Sequence, residues 1–72
     1  MTIETWDFSG VSSNVGACVY DSDQRTLQVT FQSGHSYEGQ GVPSSVWEAF
    51  CSDQSAGAYF RRHLRGRYGF PP

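Results

Sequence analysis

The clearest alternation of apolar and polar positions runs from Thr26 to Phe31. Leu27, Val29 and Phe31 fall on one parity and Thr26, Gln28 and Thr30 on the other, the two-residue period of a strand with one buried face. Before it, Val15-Gly-Ala-Cys-Val-Tyr20 is short, apolar and bounded by Asn14 and Asp21, and it reads as a second strand. The Asp21–Arg25 stretch between them has turn chemistry, because Asp and Ser side chains bond their own backbone. Ser33-Gly34 supplies a tight hairpin turn, and residues 35–39 make a third strand with Tyr37 on the parity of His35. Gly39 and Gly41 weaken the end of that strand and predict a bend there.

The period then changes. Gly41-Val-Pro-Ser-Ser marks a helix start, with Pro43 suited to the first turn. Ser45 and Glu48 also match a capping box, which places the start two residues later. Val46, Trp47, Phe50 and Cys51 follow as one apolar stripe. Ser52–Ser55 is polar and ends this helix, and Asp53 or Ser55 can cap a second one. In the second helix Ala56, Phe60 and Leu64 recur every fourth residue, and Gly66 is placed to terminate it. The expected fold is therefore α+β: a three-stranded antiparallel meander followed by two short α-helices, over residues 11–70. Residues 1–10 have a weak pattern, with Trp6 and Phe8 on one parity and Glu4 and Asp7 nearby. They read either as an added edge strand or as an N-terminal arm, with Trp6 covering the small core or docking on a partner, and with Ser9-Gly10 as the break.

Length limits what such a chain can do. Seventy-two residues make one domain, with little room for both a core and a deep substrate pocket. Charge is divided sharply along it. Residues 1–60 carry all seven acids against Arg25 alone, whereas residues 61–72 carry Arg61, Arg62, Arg65 and Arg67 and no acid. Tyr59, Phe60, Tyr68 and Phe70 lie in or beside the arginine-rich stretch, so charge and aromatic area arrive together. Cys18 and Cys51 form no disulfide framework and no metal spacing, and they read as reduced, buried thiols of a cytoplasmic protein. No run of apolar residues is long enough to span a membrane, and no basic-then-apolar leader begins the chain.

Catalytic chemistry finds little support. Neither Cys has a local signature pairing it with His35 or His63, the acids are scattered, and there is no phosphate-binding glycine loop. No catalytic residue, metal or cofactor is expected. For the arginines, the bland alternative is a solvated helix face that balances the chain's own acids.

The ordered set Val11-x-Ser-Ser-Asn-Val15, Tyr20-Asp21, Leu27-x-Val-x-Phe31, Ser33-Gly34, Tyr37, Gly41-Val-Pro43, Ser55-x-Gly57-x-Tyr-Phe60 and Arg65-Gly-x-Tyr68 resembles the KTSC domain. That small module is named for its similarity to the C-terminal part of lysyl-tRNA synthetase. The resemblance covers about residues 11–70 and implies a three-stranded sheet followed by two helices, with no general enzymatic activity. The chain departs from the family pattern in three places. Arg61 stands where Asn is usual, Gly39 where a second aromatic often follows the Tyr37 position, and Val19 where many members have Gly. Arg65 belongs to the motif and is expected to be structural, with Asp21 as its partner.

Free-standing chains of this type occur in phages and bacteria, some resembling small inhibitors of host transcription. The expectation is a monomeric, non-enzymatic, protein-binding regulator, most concretely a phage-encoded inhibitor of bacterial RNA polymerase. The candidate contact residues are Arg61, Arg62, Arg65, Arg67, Tyr68, Trp6 and Phe8. The alternative is an RNA- or DNA-binding domain in which the arginines meet phosphates and Tyr59, Tyr68 or Phe70 stack on bases. A net charge of −2 disfavours that alternative.

Overall fold

A computed structural model describes residues 3–8, 10 and 14–71. Ser9, part of the break expected after the first segment, and Val11, Ser12 and Ser13 of the first motif lie outside the described residues. Four strands, β1 (Ile3–Asp7), β2 (Val15–Asp21), β3 (Thr26–Phe31) and β4 (Ser36–Gly39), form one antiparallel sheet in the order β1-β2-β3-β4. The three-stranded expectation is corrected at the N-terminus, where residues 3–7 pair with β2 in register Ile3↔Asp21 to Asp7↔Ala17. Of the two readings offered for the first residues, the added edge strand is the one formed over residues 3–7; its pattern is weak because all five residues are exposed, so no alternation marks it. Only the residue that follows, Phe8, reaches the core, where it packs on Phe50 at 5.0 Å between ring centroids.

β2 is not a plain strand. Val15 pairs with Phe31 and Cys18 with Val29, so β2 carries one extra residue across this interval. The bulge turns both Val15 and Cys18 inward although they are three apart. Gly16 permits it, since a Cβ there would stand 2.9 Å from the Thr30 carbonyl oxygen. The hairpin between β3 and β4 forms as expected. Gly34 has φ +98, its amide donates to the Phe31 carbonyl, and the Phe31 amide donates to that of His35.

Helix α1 (Ser44–Ser52) begins directly after Pro43, and no side-chain hydrogen bond caps it, so the Ser45–Glu48 box does not form. Ser55 caps the second helix, accepting from the Ala58 amide at 3.3 Å. That helix starts as α2 (Ala56–Tyr59) and widens into a π-helical turn over Phe60–Leu64, closed by the Arg65 amide donating to the Phe60 carbonyl at 2.7 Å. Gly66, at φ +75, follows the end as expected. The stripes lie where their periods put them: Trp47, Phe50, Ala56, Phe60 and Leu64 are buried against Cys18, Tyr20, Leu27 and Val29 of the sheet. Tyr20 and Trp47 stack at 5.4 Å, and the Tyr20 hydroxyl donates to the Val42 carbonyl at 2.6 Å. Among the described residues no helix is long and apolar enough to cross a membrane.

Candidate functional site

Two of the arginines, Arg61 and Arg65, flank a cleft. The start of β2, the β3–β4 hairpin and the second helix leave a space of about 390 Å³ lined by Asn14, Phe31, Gln32, Ser33, Gly57, Phe60, Arg61 and Arg65. Its walls form because Phe60 stands edge-on to Phe31 at 5.1 Å, joining helix to sheet, while Gly57 carries no side chain to fill the gap. The two arginines come from the π-helical turn and its C-terminal end. Local widenings of this kind recur at functional positions. Arg61, Arg62, Arg65 and Arg67 are all exposed, and none makes an ion pair within 4.0 Å among the described residues.

The Arg65–Asp21 pair expected from the motif is therefore not made. The Asp21 carboxylate instead accepts from the amides of Asp23 and Gln24, holding the β2–β3 turn. Turn chemistry read correctly from the sequence accounts for the acid that the tail was expected to use.

The other candidates divide. Trp6 is half exposed on β1, away from the cleft. Phe8 is 2% exposed and belongs to the core, so its ring is not available to a partner. Tyr68 is half buried and held at φ +55, and its carbonyl accepts from the Gln40 amide at 2.7 Å, tying the tail to β4. Of the rings named for base stacking, Phe70 is buried and Tyr59 is packed between Phe50 and His63.

Sequence reasoning missed Tyr37. It is 37% exposed and stands edge-on to Phe31, beside the cleft. Asn14, Gln32 and Ser33 were also missed as a polar lining. A signal for the cleft was present, since Asn14, Phe31, Ser33, Gly57, Phe60 and Arg65 all come from the ordered motif pieces. The departure at Arg61 falls on the same rim and adds a second positive charge there.

The thiols lie elsewhere and are held protonated. Burial, then the neighbouring Cys51 and Asp7, push Cys18 up to about 12. Burial and Glu4 push Cys51 up to about 11. A nucleophilic thiol needs the opposite shift. His35 stacks on Tyr37, and His63 packs at a tilt against Tyr59. Among the described residues no three His, Cys, Asp or Glu side chains gather where a metal ion could sit.

With this geometry in view, comparison with known proteins is informative. The model of the KTSC domain family matches residues 11–68. The chain is similar to the crystal structure of a KTSC domain protein from Yersinia pestis, with a TM-score of 0.83 and 28% sequence identity over 93% of this chain and 92% of that one. None of the curated proteins compared matches it.

Proposed function

The chain belongs to the KTSC domain family, and from that premise we propose that it is a small non-enzymatic regulatory module gripping an acidic segment of a partner protein. The observation that carries this reading is the pair Arg61 and Arg65 on the rim of an aromatic-walled cleft, unpaired with any carboxylate among the described residues. A guanidinium presents five donors in a planar fork that matches a carboxylate. At a fully exposed site such a pair contributes little, but the Phe31 and Phe60 walls partly exclude water and strengthen it. Tyr37, whose ring meets the Phe31 wall edge-on, is a residue type that dominates protein interfaces.

A nucleic-acid partner has less support. The chain is net negative, and the rings named for stacking are buried or half buried. The finer reading, a phage-encoded inhibitor of bacterial RNA polymerase, rests on small size, domain type and the charge division along the chain. Its test is capture from bacterial lysate with identification by mass spectrometry, alongside the Arg61→Glu/Arg62→Glu variant. Recovery of a polymerase subunit by the wild type and not by the variant is the expected result. Equal capture by both proteins, or capture abolished by nuclease, overturns the reading.

A further inference from the structure

The two edges of the sheet are not alike. Just past the end of β4 the C-terminal tail is tied down, with the Gln40 amide donating to the Tyr68 carbonyl. At β1 no described segment pairs with the outer edge. The Phe8 amide donates to the Gly16 carbonyl, and antiparallel bonding alternates, so Glu4 and Trp6 direct their backbone groups to β2. Ile3 and Thr5 consequently present amide and carbonyl outward, in the spacing that an added strand requires. Natural edges are commonly protected by Lys, Pro or a bulge. This one carries no Lys, Pro or bulge, its charged residues are the acids Glu4 and Asp7, and it exposes Ile3 by 49% and Trp6 by 50%.

The side chains beside that edge have one sign of charge. Trp6 stands between two grooves of about 290 and 380 Å³, which it shares with Cys51. Glu4 and Glu48 line the first, Asp53 lines the second, and no basic residue lines either. An indole flanked by carboxylates attracts a cation twice, through the ring face and through Coulomb attraction. The same charge repels a nucleic acid, and it repels a second copy, whose β1 would bring its own Glu4 and Asp7 to the junction.

We propose that β1 accepts an extended, arginine- or lysine-bearing segment of a partner protein as a fifth strand, with one cationic side chain over Trp6 between Glu4, Glu48 and Asp53. This surface stands apart from the Arg61–Arg65 cleft, and the inference holds whether or not the cleft binds an acidic partner.

The test uses the whole chain and synthetic six-residue peptides alternating Arg with Val or Thr, with Glu-for-Arg and backbone N-methylated counterparts as controls. Indole fluorescence and amide hydrogen exchange are followed at two salt concentrations. The Arg peptide should bind more weakly as salt rises, and should slow exchange at Ile3 and Thr5. Trp6→Ala should weaken binding about tenfold. Glu4→Lys/Glu48→Lys should abolish it, N-methylation should remove it, and Arg61→Glu/Arg62→Glu should leave it unchanged. Equal binding of the Glu peptide, indifference to Trp6→Ala and Glu4→Lys/Glu48→Lys, or no binding at low salt each overturns the proposal. So does sedimentation showing that the chain pairs with itself through β1.

Discussion

The ring of Phe70 occupies the space that a side chain on Gly39 would fill: a Cβ built on Gly39 would stand 2.6 Å from Phe70 Cζ. Gly39 lies on β4 opposite Leu27, facing the core, at the position where the family resemblance implies an aromatic. Here the aromatic comes from the far end of the chain and packs edge-on to Phe60 at 5.2 Å. The two positions should therefore be coupled. Gly39→Ala alone should cost about 1–3 kcal/mol through overpacking. In a Phe70→Ala background the same change should cost close to nothing, a departure from additivity that denaturant titration of the four proteins measures.

Phe70→Ala itself should cost about 3–5 kcal/mol. A domain of this length has roughly 4–11 kcal/mol in all, so this loss takes a large share of the total and should lower the urea midpoint steeply. Phe60→Ala should behave alike, since it removes a wall of the cleft and a core ring together. Circular dichroism with urea checks both.

Much of this core was legible in the chain. The β3 alternation, the Ser33-Gly34 hairpin and the Ala56–Phe60–Leu64 stripe appear where their periods place them, because each buries its apolar face locally against the same layer. What the sequence concealed is non-local. β1 has no buried face of its own, which left strand and arm undecided there; the extra residue in β2 depends on how closely Gly16 approaches Thr30, and Phe70 fills a gap thirty-one positions away. The cleft was half legible. The arginines were visible as a cluster, but its walls and polar lining come from three separate segments that only the fold brings together.

Tyr20 gives a second measurable contact. Its hydroxyl satisfies the Val42 carbonyl inside the core while its ring stacks on Trp47. Tyr20→Phe keeps the stack and orphans the carbonyl, so it should cost about 1–3 kcal/mol. Tyr20→Leu loses the stack as well and should cost more, and the difference between the two variants isolates the stack with its packing.

Stability should fall in alkali as the unfolded chain releases the Cys18 proton. An unfolded Cys titrates near 9.0, whereas burial pushes Cys18 up to about 12 in the folded chain. Between those values the folded protein keeps a proton that the unfolded chain has released, so stability is fully present below pH 9 and declines above it. The slope approaches about 1.4 kcal/mol per pH unit for Cys18. Cys51 adds less, because it is half exposed and screened by solvent. Urea titrations between pH 8 and 10 should show the decline in the wild type and a shallower one in Cys18→Ala. Thiol labelling should reach Cys51 in the folded protein and Cys18 only on unfolding.

Arg61 offers the sharpest probe of the proposed acidic partner, because it stands where the family resemblance implies Asn. Arg61 is exposed and makes no ion pair among the described residues, so Arg61→Asn should shift stability by less than about 0.5 kcal/mol. The substitution removes one of the two guanidinium groups on the cleft rim and leaves Arg65, Phe31 and Phe60 in place. Binding of an Asp- or Glu-rich peptide should weaken about tenfold and lose part of its salt dependence, as expected when one charge-assisted contact of roughly 1.5–3 kcal/mol is lost. Arg67→Asn, outside the cleft lining, should change the same titration much less. If both substitutions weaken binding equally, the peptide responds to net charge alone and the cleft has no special part in recognition.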